Sequence, residues 1–356
     1  MDNNLQQRIS AFVQLGKALQ ALSTSDTWPG FDCGLTESEF NDFKQVIHTN
    51  FHYNGWFTKD NVEMALRNWA DALQEERLLK WITPYTHHLA SISPQRIAII
   101  CAGNIPMVGF HDILCTLLCG HFALIKPSSD DSRLIPGILF LLVKWHEPFA
   151  QQFEFAQGKL EKFDRVIATG SNNTSRYFHQ YFADYPHIIR KSRTSVAVLT
   201  GQESKEEMKQ LGHDVFAHFG LGCRNVTKIY VPIGYDLNHF FEGMYDFHPI
   251  VNHNKYANNY DYIKAVWMLN QEDLLENGFL ILKQDDALKA PTGSLFYSYY
   301  NNESELKALL EEKKDEIQCI VGHGYTPFGQ AQCPQLSDYA DGINTLEFLV
   351  GDAINQ

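Results

Sequence analysis

The residues best suited to chemistry lie in the stretch Phe219-Gly220-Leu221-Gly222-Cys223-Arg224-Asn225-Val226. Cys223 follows two glycines and precedes a β-branched run that extends to Val231. Glycines on either side of Leu221 let the backbone take a positive φ or approach a ligand closely. Arg224 places a fixed positive charge next to the thiol, which favours the thiolate. A sulfur on a turn between a helix and a strand is in the place of a nucleophile. The competing reading is a small buried hydrophobe, because cysteine is among the most buried residue types.

Three further loops precede this one. Gly103-Asn104-Ile105-Pro106, Lys126-Pro127-Ser128-Ser129 and Thr169-Gly170-Ser171 each end an apolar run. Taken singly, each has a structural explanation. Asn at a strand end forms turns, Lys-Pro makes a solvated exit, and Thr-Gly-Ser caps a helix. Their order, with a glycine-flanked cysteine behind them, is the informative part.

The elements that must position these loops can be read from periodicity. Residues 1 to 90 are helical in pattern, with Ile9, Phe12, Val13, Leu19 and Leu22 at helical spacing. Thr36 and Glu39 form a capping-box signature, and Thr58 caps a further helix. This region shows no titratable cluster and reads as packing and interface. From Pro94 on, strands are expected at 96–102, 122–125, 153–156, 165–168, 195–199, 226–231, 279–282, 295–299 and 318–321. Helices are expected at 107–119, 132–145, 174–182, 203–219, 238–247 and 303–314. This alternation predicts an α/β protein with a parallel, doubly wound sheet. The loops that follow such strands are where ligands bind.

Size and composition set bounds. A chain of 356 residues predicts two domains. A net charge of -13 argues against a nucleic-acid partner, whose affinity needs Lys and Arg. No basic and apolar leader opens the chain, and no apolar run is long enough to span a bilayer. Seven scattered cysteines without a CxxC predict reduced thiols and a cytoplasmic setting. Cys319, His323 and Cys333 match no zinc framework, so no metal is expected. Cys115 and Cys119 read as core.

The four loops in this order resemble those of the aldehyde dehydrogenase superfamily. Within it the chain is similar to the acyl-CoA reductase branch, the LuxC-type fatty-acyl reductases. Leu124-Ile125-Lys126-Pro127-Ser128, Ala168-Thr169-Gly170-Ser171 and the closing stretch from Cys333 to Gly342 carry the likeness with the Asn104 and Cys223 motifs. It extends from about residue 90 to the end. The resemblance implies an aldehyde-dehydrogenase-like fold. A helical N-terminal region (1–90) would pack on a Rossmann-like cofactor domain (91–212). An α/β catalytic domain (213–330) and a closing segment (331–356) would follow.

The resemblance also implies roles. Cys223 would attack an acyl-CoA thioester and carry the acyl group. Asn104 would donate to the oxyanion. Lys126 and Ser128 would meet the adenosine end of a nicotinamide cofactor. Thr169, Gly170 and Ser171 would meet its pyrophosphate at a helix N-terminus. NAD-preferring relatives carry a glutamate three positions after the lysine; here that residue is Ser129, which favours NADPH and leaves NADH open. Asp130 and Asp131 stand beside it.

Two family features are missing. The glutamate that serves hydrolytic relatives is replaced in the segment Ile188-Ile189-Arg190-Lys191-Ser192-Arg193. The Glu-x-Phe-Gly-Pro segment is not found. The expected reaction is therefore reduction of a long-chain acyl-CoA to the aldehyde. Expected partners are the acyl-CoA, an acyl-transferring enzyme and a second copy of the chain, because relatives commonly pair through an edge strand. A cysteine acyltransferase or thioesterase, using His213 or His218, and a non-catalytic protein of this fold are the alternatives.

Overall fold

The computed structural model describes residues 3–90 and 92–351. It divides into two compact units. One runs to Lys191 and resumes at Gln335; the other is Ser192–Pro334.

The first unit opens with helices Asn3–Thr24, Glu37–Thr49, Lys59–Ala72 and Glu75–Ile82. Thr36 caps the second through a complete capping box with Glu39, and Thr58 caps the third. Contrary to expectation, the region contains a titratable cluster. Lys44, only 4% exposed, lies 3.0 Å from both Asp26 and Glu63, and Lys59 reaches Asp26 at 2.8 Å. The cluster ties two helices to the turn after the first, a long-range relationship that local patterning does not show.

Five strands follow: β1 (Arg96–Ile100), β2 (Phe122–Lys126), β3 (Phe153–Phe155), β4 (Arg165–Thr169) and β5 (His187–Arg190). All pair in parallel, in the order β3-β2-β1-β4-β5. Alternation along β1 separates two cores. Ile97 and Ile99 face the N-terminal helices together with Ile113 and Leu139 of helices Phe110–Leu118 and Leu134–Trp145. Ala98 faces the other side, with Leu124, Val166, Phe178 and Phe182. The first of these helices starts three residues later than expected because Met107 takes φ 65°.

The segment from Gln335 on completes this unit. Leu346 and Leu349 of helix Thr345–Val350 join its core. His121 Nε2 lies 3.0 Å from the Leu349 carbonyl. Arg190 and Asp112, both buried, form an ion pair, and Arg190 also donates to Thr345 Oγ1 at 2.8 Å.

The second unit is a six-stranded sheet. Its strands are β6 (Thr194–Val198), β7 (Val226–Pro232), β8 (Leu274–Glu276), β9 (Ile281–Gln284), β10 (Ser294–Tyr300) and β11 (Ile317–Val321). The order is β11-β6-β7-β10-β9-β8, parallel except at β8. The seam differs from the expected boundary after residue 212. The strand Thr194–Val198 pairs with β7 and β11, not with β5, so the second unit begins at Ser192.

Among the described residues no helix is long and apolar enough to cross a membrane. The seven cysteines form no disulfide; Cys33, Cys101, Cys115 and Cys119 are buried, and Cys223 and Cys333 are exposed.

Candidate active site

In the first unit, the loop expected to carry the oxyanion donor and the two expected cofactor loops leave the carboxyl ends of β1, β2 and β4, which are adjacent strands. The chain turns left from β1 to β2 and β3, then right to β4 and β5. The switch therefore falls between β1 and β4, where open parallel sheets form a ligand crevice. Asn104 follows β1 and is exposed. Lys126 ends β2, also exposed, and no carboxylate of the described residues lies within ion-pair distance of it.

The loops fit closely together. A Cβ on Gly103 would lie 2.4 Å from Ser128 Oγ, so only glycine lets the β1 and β2 loops meet. Ser128 Oγ accepts from the Asp130 amide at 3.2 Å. Asp131 points inward and is 1% exposed. It accepts from the Met107 amide at 2.8 Å and the Leu134 amide at 3.3 Å, and burial pushes its carboxyl up to about 6. After β4, Thr169 and Gly170 are half-buried, and Ser171 is exposed. Ser171 Oγ caps helix Asn172–Tyr181 by accepting from the Thr174 amide at 3.2 Å. The other amides of that first turn remain available to an anion.

In the second unit, Cys223 is exposed on a turn closed by Asn225 N–H donating to the Gly222 carbonyl at 3.1 Å. Side chains hold the turn on both sides. The Gly222 amide donates to Asn225 Oδ1 at 2.7 Å. The Cys223 carbonyl accepts from Ser195 Oγ at 3.0 Å. Asn225 and Ser195 are both fully buried. Asn225 Nδ2 also donates to the carbonyls of Ala217 at 2.8 Å, Asp214 at 3.1 Å and Val215 at 3.3 Å. One amide side chain thus joins the turn to the end of helix Lys205–Phe216.

Before the turn, His218, Phe219 and Gly220 take φ 50°, 58° and 76° in succession. For the two non-glycine residues this costs about 1–2 kcal/mol each. Such strain persists where the surroundings over-determine the backbone. Here the Phe219 ring stacks on His253 at 4.2 Å. Arg224 Nε donates to the Ala331 carbonyl, so its charge is fixed beside the turn. Asp214, fully buried, accepts from the amides of Gly329 at 2.7 Å and Ala331 at 2.9 Å.

The rival mechanism would call on His213 or His218. His213 is exposed on its helix against Phe247, and His218 is buried, with its imidazole held down to about 4 by burial. His323 pairs with Glu207 at 2.7 Å, and Cys319 Sγ lies 3.1 Å from Ser195 Oγ. No group of three metal-binding side chains occurs among the described residues.

Sequence reasoning missed Ser195, Asp214 and the role of Asn225. Asn225 sat inside the cysteine motif, and a buried amide two residues past a turn nucleophile is a signal that was there to be used. Ser195 and Asp214 carry no local mark, because their partners are 28 and 115 residues away.

The sequence matches no known protein-family model and no curated protein. Solved structures do match it. An indole-3-acetaldehyde dehydrogenase complexed with NAD+ has a TM-score of 0.62 at 11% identity, over 89% of this chain and 71% of that one. A NAD-dependent aldehyde dehydrogenase from Sinorhizobium meliloti has a TM-score of 0.59 at 10% identity, over 92% and 76%. Aldehyde dehydrogenase 21 from Physcomitrella patens, in complex with the reaction product succinate, has a TM-score of 0.56 at 13% identity, over 90% and 77%. The chain has an aldehyde-dehydrogenase-like fold.

Proposed function

We propose that this chain is an oxidoreductase of the aldehyde–thioester couple, reducing a long-chain acyl-CoA to the fatty aldehyde with NADPH. The observation that carries the reading is the Cys223 turn: an exposed cysteine whose two flanking peptides are held by the Asn225 backbone N–H on the Gly222 carbonyl and by buried Ser195 on the Cys223 carbonyl. A nucleophile needs this combination of access and fixed direction.

The Cys223 thiolate adds to the thioester carbonyl. The bond to the CoA sulfur breaks, and CoA leaves as a thiolate that takes its proton from solvent. The oxyanion of the addition step would be met by the Cys223 backbone N–H and, as the family resemblance implies, by the Asn104 amide. When bound, the coenzyme supplies the hydride that takes the acyl carbon to the aldehyde level. Release of the aldehyde returns the sulfur as thiolate.

Lys126 and Ser128 at the end of β2, and Thr169, Gly170 and Ser171 at the end of β4, would hold the coenzyme. The switch between β1 and β4, and a lysine with no carboxylate partner among the described residues, fit a dinucleotide. Of the carboxylates after Lys126, Asp131 is turned into the protein, which supports NADPH over NADH. The reading takes the glutamate of hydrolytic relatives to be replaced in the β5 segment, where Arg190 is buried against Asp112. An acyl-cysteine without such a base survives until it is reduced. The acyl donor is free acyl-CoA or an acylated partner enzyme, in a cytoplasmic homo-oligomer.

The test mixes purified protein with a long-chain acyl-CoA and NADPH and follows nicotinamide absorbance and CoA release. Oxidation of NADPH that disappears in Cys223→Ala supports the reductase. CoA release with no NADPH consumption would instead establish the thioesterase. Neither signal from folded protein would leave a binding role.

A further inference from the structure

The helical N-terminal region, expected to serve packing and interface, reaches the loop after β2. The turn between helices Glu37–Thr49 and Lys59–Ala72 lies on the loop after β2. Asn54 Nδ2 donates to the Asp130 carbonyl at 3.3 Å, and Asn54 is 8% exposed. Thr49 Oγ1 accepts from Arg133 Nη1 at 2.8 Å. The Arg133 guanidinium sits 4.5 Å over the Tyr53 ring, and Tyr53 is 66% exposed. Through Ser128 and Asp130 the same loop touches Gly103, next to Asn104. Three loops thus share one surface at the carboxyl edge of the sheet.

The charges on this surface have an unusual distribution for a chain of net charge -13. Lys126 and Arg133, at the two ends of the β2 loop, both lack a carboxylate within ion-pair distance among the described residues. Between them stand the hydroxyls of Ser128 and Ser129, the latter exposed. Asp131 is withdrawn to the Met107 and Leu134 amides; Asp130 alone keeps an exposed carboxylate. A guanidinium whose plane is fixed by stacking is suited to a phosphate, since it loses little freedom on binding. In doubly wound dinucleotide folds the group beyond β2 decides between a ribose hydroxyl and a 2′-phosphate, and an arginine there accepts the phosphate.

We propose that Arg133, seated on Tyr53, binds the 2′-phosphate of NADPH together with Lys126, so that the N-terminal helical region forms part of the coenzyme-recognition surface. This rests on the proposed coenzyme. Arg133 acts here as a specificity-determining residue, and Tyr53 and Thr49 set its position.

The test is equilibrium binding by titration calorimetry, without acyl substrate. NADP+, NAD+, 2′,5′-ADP and 5′-ADP are each titrated into wild type, Arg133→Ala, Arg133→Lys and Tyr53→Ala. Thermal melting confirms that each variant is folded. The expected result is tighter binding of the two 2′-phosphorylated ligands by wild type. Arg133→Ala should lose about 10- to 100-fold of that affinity and leave NAD+ unchanged. Arg133→Lys should restore part of it, because the charge remains and the fork is lost. Tyr53→Ala should lose less than Arg133→Ala. Two results overturn the assignment while leaving the coenzyme reading intact: NAD+ bound as tightly as NADP+ by wild type, or Arg133→Ala weakening both alike. Wild type that binds none of the four ligands overturns the coenzyme reading itself, and the assignment with it.

Discussion

Asn225 accepts the Gly222 amide at 2.7 Å while donating to the Ala217 carbonyl at 2.8 Å, across the turn that bears Cys223. The same side chain therefore closes the turn and ends the preceding helix. Replacing it with alanine leaves a buried amide and several carbonyls without partners. Asn225→Ala should cost about 2–4 kcal/mol of stability, at roughly 1–3 kcal/mol per orphaned buried group with partial relaxation. Asn225→Asp should be worse at neutral pH, because a carboxylate would face the three carbonyls that Nδ2 now serves. Urea denaturation of the three proteins checks both. An Asn225→Asp protein as stable as wild type would show that the amide direction does not matter.

Asn104 can be removed without touching the core, because it is exposed on the bend after β1. If its amide meets the oxyanion, Asn104→Ala should fold normally and lose about 100- to 1,000-fold in kcat, the effect of one missing oxyanion donor. KM for the acyl substrate should change much less, since the donor is needed most in the transition state. Steady-state kinetics with the acyl-CoA and NADPH separate the two. Turnover at the wild-type rate would take Asn104 out of the mechanism.

Acid stability should carry the mark of His218. Burial alone holds its imidazole down to about 4, whereas an unfolded histidine titrates near 6.5. The unfolded chain takes up this proton first as the pH falls. Stability from this group is therefore complete above about pH 6.5 and is lost progressively toward pH 4, by at most about 3 kcal/mol. His218→Asn, which tolerates the left-handed backbone at φ 50°, should remove this part of the slope. His111 and His121 are also lowered by burial, and their slopes remain in both proteins. Urea midpoints measured from about pH 7.5 down to about pH 4.5 give the difference. Equal slopes in the two proteins would refute the assignment to His218.

The sequence showed most clearly what is local. The capping box at Thr36 and the cap at Thr58 were legible because each joins residues three apart. The strand cores at Ile97–Ile99 and Val226–Val231 were legible from apolar runs. The helix Asn254–Leu269 was not, since its buried face is made of Tyr256, Tyr260 and Trp267 among polar residues. The strand His187–Arg190 was missed for a related reason: it ends in an arginine whose partners, Asp112 and Thr345, lie 78 residues earlier and 155 residues later. The boundary between units failed likewise, because nothing within 194–198 says which sheet the strand will join. For the site, the residue types and loop order were readable, and the fold class followed from them. The groups that hold Cys223 in place were readable only where they lay inside the motif.

The Arg190–Asp112 pair offers a sharp test of how the closing segment is held. Both side chains are buried, and Arg190 also donates to Thr345 on the last helix, with Asp112 Oδ1 3.5 Å from the same hydroxyl. The pair therefore joins helix Phe110–Leu118, strand β5 and the returning segment in one polar contact. Asp112→Leu leaves an uncompensated buried guanidinium and should cost about 3–5 kcal/mol. Arg190→Met alone leaves the Asp112 carboxylate buried without its partner and should be destabilising by a similar amount. The double variant Asp112→Leu/Arg190→Met removes both charges and should recover most of the loss, since apolar replacements of buried pairs are often neutral or better. Thermal melting of the four proteins yields the coupling energy of the pair. Losses that simply add in the double variant would mean that the two charges do not depend on each other.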